Sequence, residues 1–171
     1  MPSNPYQALF EAVRTRLVDS SGPFKNANAI GMWADDAAED LEPDERLISA
    51  LCQATPQALL SYVAGGIGES PGGGEELTHR VRFAVRFGVR GPGDDYEKVH
   101  TASGGALGTG NDWGLFEALH WIIRRLSNHQ LSSGTWNAVD YVEDLPIATG
   151  GKGKLAHRVV FSAQYVIVTG D

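Results

Sequence analysis

The sequence predicts an α+β fold in which a single mixed or antiparallel sheet of about four or more strands is flanked by two main helices. Three observations support this prediction. One long segment has strict two-residue alternation, two segments have helical periodicity, and shorter apolar runs fit further strands. Along the chain these segments follow the order helix, strand, strand, helix, strand, strand. Packing the helices on the alternating strand would give one core.

The strongest strand signal is LTHRVRFAVRFGVR, residues 77–90. Apolar side chains occupy every second position, at Val81, Phe83, Val85, Phe87 and Val89. The positions between them hold the arginine face, which we define as Arg80, Arg82, Arg86 and Arg90. Because successive strand side chains point to opposite sides, we expect the apolar set to face the core and the arginines to face away from it. The arginine face is then either a solvated outer surface or a contact for an acidic patch on a neighbouring subunit.

Two segments have the apolar periodicity of amphipathic helices. The first is predicted from about residue 5 to 18, because Asn4 can cap it and Pro5 suits its first position. Its apolar stripe is Tyr6, Leu9, Phe10, Val13 and Leu17. The second is predicted to begin with a cap at Asp112, and its apolar positions are Leu115, Leu119, Ile122 and Leu126, with Phe116 and Ile123 beside them. We expect both stripes to be core, and the second helix to pack on the apolar side of the 77–90 strand.

The remaining patterned segments predict three further strands and a short helix. ALLSYV, residues 58–63, predicts a buried strand, residues 136–142 predict another with an irregular end at 145–147, and residues 158–168 predict the last. A short helix is predicted around Leu47, Ile48 and Leu51. The run from about residue 20 to 33 has no clear period and is expected to be a loop.

Two of the predicted strand segments begin alike. Residues 77–83 and 155–161 share the pattern L-x-H-R-V-x-F, and each follows a glycine-rich turn. We interpret them as two similar strands of one sheet. If the strands are neighbours, His79 and His157 could approach each other and hold a metal ion. The favoured interpretation is that they are polar residues at strand ends.

Length and composition indicate a single domain spanning residues 1–171. The chain has 21 glycines, more than ordinary usage, and they gather near residues 65–76 and 91–111, which are expected to be mobile loops. Its formal net charge of −7 argues against a general binder of nucleic acid or anionic membrane. The first residues lack a basic region followed by an apolar run, so we expect a soluble chain that is not exported by that route.

Acidic residues concentrate in the acid-rich segment, residues 35–45, which holds seven of the 21 acids in the chain. The segment is expected to lie on the surface. On a helix, Asp36 and Asp40, or Asp35 and Glu39, would share one face and could hold a divalent ion. A solvated acidic face is the favoured interpretation.

No complete catalytic or cofactor-binding motif stands out, so we expect neither enzyme activity nor a cofactor or metal. Residues 103–112, SGGALGTGND, resemble a phosphate-binding loop but lack its lysine and the hydroxyl residue after it. The five histidines have no paired metal-ligand spacing. Cys52 is the only cysteine, which excludes an intrachain disulfide and suits assembly in the cytosol. We expect it to be a small buried residue and not a nucleophile.

Taken together, five segments resemble the tail-terminator group of tailed bacteriophages, in particular the minor tail proteins of Mu-like phages. They are ALFEAVRTRL, TPQALLSYV, HRVRFAVRFGVRG, GLFEALHWIIRRLSNHQL and RVVFSAQYVIV, and they extend over most of the chain. The glycine-rich loops and the acid-rich segment look longer than the family pattern. A head-closure or head–tail joining neck protein is therefore the alternative within the same class.

The resemblance implies a structural protein of the virion, located in the tail or neck after assembly in the host cytoplasm. Six copies would form a ring at the head-proximal end of the tail tube, end tube polymerisation and offer a docking face to the head connector. The implied partners are further copies of the chain, the tail tube protein and the head–tail connector or neck protein. No membrane or sequence-specific nucleic acid is implied, although genome DNA would pass through the ring.

A closed ring needs heterologous contacts, so each subunit must offer two different complementary faces. We expect the arginine face and the acid-rich segment to supply them. The predicted interface residues are Arg80, Arg82, Arg86, Arg90, Asp35, Asp36, Glu39, Asp40, Lys152 and Lys154. From another class, the alternative is a small α+β enzyme or ligand-binding domain that uses the loop at residues 104–110 and His100.

Overall fold

The computed structural model describes residues 4–33, 45–53, 56–67, 76–90, 113–131, 136–147 and 153–168. In these ranges three α-helices flank one five-stranded mixed sheet, which confirms the predicted α+β fold. The helices are α1 (Pro5–Leu17), α2 (Glu45–Leu51) and α3 (Leu115–Leu126). The strands are β1 (Ile30–Trp33), β2 (Gln57–Ile67), β3 (Glu76–Arg90), β4 (Asp140–Ile147) and β5 (Lys154–Val168).

The sheet has the strand order β1-β2-β3-β5-β4. β1 runs parallel to β2, whereas every other neighbouring pair is antiparallel. β3 and β5 pair along their whole lengths, from Glu76 opposite Val168 to Arg90 opposite Lys154. These two long strands form the centre of the sheet, and the shorter β1 and β4 lie at its edges.

The front of the sheet, which we define as the side with Val81, Phe83, Val85, Phe87 and Val89, packs on α1 and α3. All five of these side chains are fully buried, as the alternation predicts. Phe83 stacks on Phe161 with ring centroids 5.7 Å apart, and Phe10 of α1 meets Phe83 edge-on at 6.3 Å. Burial of these aromatic rings contributes to the stability of the core.

The helices begin where local chemistry allows. The side-chain oxygen of Asn4 accepts a hydrogen bond from the Tyr6 amide at 3.0 Å, so the predicted cap of α1 is confirmed. The predicted cap of the second main helix at Asp112 is wrong, because α3 begins at Leu115 and its N-cap is Gly114, without a side-chain hydrogen bond. Phe116 is 52% exposed, so the prediction that it belongs to the core is also wrong.

Several strand boundaries differ from the sequence prediction. The run expected to be a loop contains β1, whose residues pair with β2 from Ile30 opposite Ala58 onward. β2 continues through Gly65 to Ile67, so the first part of the expected loop at 65–76 is strand. Residues 68–75 and 91–111 of the expected loops lie outside the described residues. β5 begins at Lys154, four residues before its predicted start.

β4 is also shifted. It begins at Asp140, and only isolated bridges occur in the preceding residues, at Trp136 and Ala138. The segment expected as an irregular end, residues 145–147, belongs to the strand and pairs with β5. A register irregularity lies between Tyr141 and Glu143, within this edge strand.

The back of the sheet, which carries the arginine face, is covered in part by α2. The small cluster beneath this helix consists of Leu47, Ile48, Leu51, Cys52 and Ala156, with Leu59 and Ile147 at its margin. A Cβ atom on Gly88 would lie 2.7 Å from the Cys52 sulfur and 2.9 Å from the Leu51 carbonyl carbon. Only a glycine therefore allows α2 to approach β3 this closely. Burial raises the pKa of the Cys52 thiol to about 11, so the thiol is protonated at neutral pH.

Candidate functional site

The arginine face lies on one side of β3, but its four members differ in exposure. Arg86 is only 4% exposed, whereas Arg82 and Arg90 are exposed and Arg80 is half-buried. The interpretation of the four arginines as one solvated outer surface is therefore wrong. Strand alternation placed Arg86 on the correct side of β3, but it could not show that this position is buried.

Arg86 occupies an unusual environment for a cation. It lies opposite Leu59 on β2 and opposite Arg158 on β5. Burial, with a further contribution from the Arg158 charge, lowers the pKa of Arg86. Like charges that face each other across neighbouring strands are unfavourable. Arg86 is therefore a buried residue on the back of the sheet and not part of an exposed contact surface.

Arg80 and Arg82, near the start of β3, border an open groove. We define the open groove as residues 64–67 of β2 together with these two arginines. Its volume is about 250 Å³. With the Gln164 amide oxygen turned toward Arg80, that oxygen accepts hydrogen bonds from Nη2 at 2.7 Å and from Nε at 3.1 Å. Arg82 lies opposite Ser162 and is exposed, as is Ile67 at 82%. The open groove thus contains Arg80, which is hydrogen-bonded to Gln164, together with the exposed side chains of Arg82 and Ile67.

The remaining predicted interface residues do not join this groove. Arg90 lies at the far end of β3 opposite Lys154, about 26 Å from Arg82 along the strand. Lys152 and the acidic residues Asp35, Asp36, Glu39 and Asp40 lie outside the described residues. The described residues of the predicted interface therefore include two separate basic regions on the back of the sheet. One contains Arg80 and Arg82, and the other contains Arg90 and Lys154.

The two histidines of the shared strand pattern do not approach each other. β3 and β5 are neighbours, but they are antiparallel, so His79 pairs with Tyr165 and His157 pairs with Phe87. The two imidazoles are thus about 26 Å apart along the sheet. His79 Nε2 lies 3.0 Å from the Tyr6 hydroxyl. Within the described ranges, no group of three or more His, Cys, Asp or Glu side chains is arranged to hold a metal ion.

A chain of polar side chains joins the edge strand β4 to β5. The Tyr141 hydroxyl donates to Asp144 Oδ2 at 2.5 Å, and His157 Nε2 lies 2.7 Å from Asp144 Oδ1. The bond from Tyr141 lowers the pKa of Asp144 and raises the pKa of Tyr141, so Asp144 is ionised at neutral pH. These side-chain contacts connect the exposed edge strand β4 to β5 in the centre of the sheet.

Sequence reasoning missed a second surface, which lies where α1 meets α3. We call it the tryptophan–arginine groove. It has a volume of about 520 Å³. Its main lining side chains are Trp113, Trp121, His120, Arg16, Arg124 and Arg125. The sequence signal for this groove is the set of aromatic and cationic residues in α3 that lie beside its buried apolar residues.

No protein-family model matches the chain, and no curated protein matches it. In the described part of the chain, no helix is long and apolar enough to cross a membrane. A functional proposal therefore depends on the residues and their geometry.

Proposed function

We propose that the protein is a structural subunit of a tailed bacteriophage, a tail terminator that forms a ring of six copies at the head-proximal end of the tail tube. In this role the ring ends tube polymerisation and presents a docking face to the head connector or neck protein. Its partners are further copies of the chain, the tail tube protein and the connector.

The fold supports this proposal at the level of architecture. The five segments that resemble tail terminators correspond to α1, β2, β3, α3 and β5, and these elements are the two main helices and the three central strands. The resemblance therefore involves the core elements and not the surface loops. A sheet flanked by helices is also what the resemblance implies.

The proposal of a contact between subunits rests on the open groove on the back of the sheet. Arg82 and Ile67 are exposed beside it, on strands that pair firmly with their neighbours in the sheet. A basic and apolar patch on a rigid frame is suited to bind a complementary acidic surface without large rearrangement. One such patch on one side of the subunit is the asymmetry that a head-to-tail ring requires.

Native mass and particle shape test this function. Light scattering over a range of protein concentrations is expected to show a species of about 110 kDa, six times the chain mass of 18.3 kDa, which negative-stain images should show as a ring. Addition of this ring to growing tail tubes should cap one end and halt elongation. Tubes that lengthen unchanged in its presence would contradict the proposed function.

A further inference from the structure

The tryptophan–arginine groove has walls that are held in place by the fold. A Cβ atom on Gly22 would lie 2.6 Å from Trp121 Cζ2, so the chain after α1 passes directly against the indole. Phe24 and Trp113 meet the Trp121 ring edge-on, with centroid distances of 6.2 and 6.3 Å. Such a preformed aromatic wall loses little conformational freedom when it binds a partner.

The arginine side of the groove is equally fixed. The Arg125 guanidinium lies 5.5 Å from the Trp121 ring centroid and 3.1 Å from Asp19 Oδ2. Arg16 and Arg125 each donate from Nε to the backbone carbonyl oxygen of the other, at 3.1 and 2.9 Å. These bonds join α1 to α3 and hold two cations at the rim of the groove.

The groove is locally basic although the chain is acidic. Arg124 is exposed in it, Arg16 and Arg125 are half-buried, and Glu117 is the acidic residue of its lining. Burial, together with the Arg16 and Arg125 charges, lowers the pKa of the nearby His129, which is consistent with a positive potential here. The formal net charge of −7 must therefore be carried by other surfaces of the same molecule.

We propose that this groove binds the acid-rich segment of a neighbouring copy. The inference rests on the proposed ring, for which it names the second pair of complementary surfaces. Residues 35–45 hold seven of the 21 acids in the chain, with Leu41 among them as an apolar side chain for the tryptophans. Trp and Arg are the residues that most often dominate binding energy at protein interfaces. The arginine face is the poorer partner for this segment, because its exposed residues, Arg82 and Arg90, lie about 26 Å apart along β3.

Chain length permits such a contact. The 11 residues between β1 and α2, residues 34–44, can span at most about 40 Å when extended. Because both ends are attached to the same subunit, at β1 and at α2, the segment can project at most about 20 Å from it. A projection of this length can reach a groove on a subunit that lies directly beside it.

A nucleic acid is the other polyanion that a surface of arginines and aromatic rings could bind. The net charge favours the acidic protein segment, because the whole chain, at −7, repels an extended polyanion at long range. A short segment meets mainly the local field of the groove, because salt screens the more distant charges.

The test is a fluorescence anisotropy titration of the full chain with a labelled synthetic peptide, ADDAAEDLEPDE, which has the sequence of residues 34–45. We expect saturable binding that Arg124→Glu weakens by about tenfold or more. Lys25→Glu, the same charge change at an exposed position outside the lining of both grooves, is the matched control and should change the affinity less than about twofold. A peptide with lysine at positions 36 and 40 should regain affinity for the Arg124→Glu chain.

Each other outcome contradicts the inference. Equal affinity for the original and Arg124→Glu chains would place the peptide elsewhere. Tighter binding of a single-stranded oligonucleotide at the same groove would identify nucleic acid as its ligand. Binding that occurs only after Asp36→Asn and Asp40→Asn in the full chain would show that a copy's own segment occupies the groove.

Failure of this inference can be distinguished from failure of the proposed function. Peptide binding is measured at concentrations where the chain is monomeric, whereas the ring is detected by native mass. A ring that forms normally with Arg124→Glu would reject the groove contact and leave the ring intact. Peptide binding without any ring would support the groove and reject the ring.

Discussion

The two sides of β3 carry equally regular sequences, yet they have different surroundings. On the front, five apolar side chains are all buried beneath α1 and α3. On the back, α2 packs against Gly88 and Arg86 is buried, whereas Arg82 and Arg90 are exposed. Two-residue alternation thus determines which side a residue faces. The elements that pack from elsewhere in the chain determine whether that side reaches solvent.

The largest effect is expected on the front. Phe83→Ala removes a fully buried ring that stacks on Phe161, and it should lower the free energy of unfolding by about 3 to 5 kcal/mol. Urea denaturation followed by circular dichroism measures this change. Phe116→Ala is the matched control, because Phe116 is 52% exposed and its loss should have an effect below about 1 kcal/mol. Equal effects would contradict the account of the front.

A smaller effect is expected where α2 covers the back. Gly88→Ala would force α2 away from β3, and we expect a loss of about 1 to 3 kcal/mol in the free energy of unfolding. The Cys52 thiol, which is buried under α2, should then react faster with a thiol reagent in the native state. Gly66→Ala is the control, since a Cβ atom at Gly66 would meet nothing within 4 Å. An unchanged stability in Gly88→Ala would show that α2 is not closely packed there.

The smallest effect is expected at the edge of the sheet, and it depends on pH. The lowered pKa of Asp144 means that its ionised form stabilises the fold above its ordinary pKa of 3.8. This contribution is lost as pH falls below that value and through the folded-state pKa. Asp144→Asn should therefore cost about 1 kcal/mol or less at pH 7 and nothing in strong acid.

Denaturation curves measured from pH 7 down to pH 2.5 test this prediction. Asp140→Asn makes the same change on the same strand and serves as the control. A difference between the original chain and Asp144→Asn that grows as the pH falls would have the wrong sign. It would show that the ionised carboxylate does not stabilise the edge strand.

Much of the fold could be predicted because its signals are local. The Asn4 cap, the Pro5 start and the alternation in β3 depend on residues close in sequence. β1 could not be predicted, because its four residues become a strand only by pairing with β2. The same holds for Gly65 and Gly66, which pair with Val81 and Arg80 despite their low strand propensity.

The candidate sites were predicted less completely for the same reason. The sequence placed Arg82 on the back of the sheet, and the structure agrees. Burial of Arg86 has no local signal in the alternating sequence of β3. The tryptophan–arginine groove requires Arg16 of α1 and Phe24 to meet α3, a contact between segments about 100 residues apart.

The most direct test of a subunit contact at the open groove is the native mass of two charge-reversed chains. Arg82→Glu changes the groove, whereas Lys25→Glu makes the same change at another exposed position. We predict that Lys25→Glu forms the species of about 110 kDa, as the original chain does, while Arg82→Glu needs at least about tenfold more protein to form it. A full ring with Arg82→Glu at the concentration that suffices for the original chain would contradict the account.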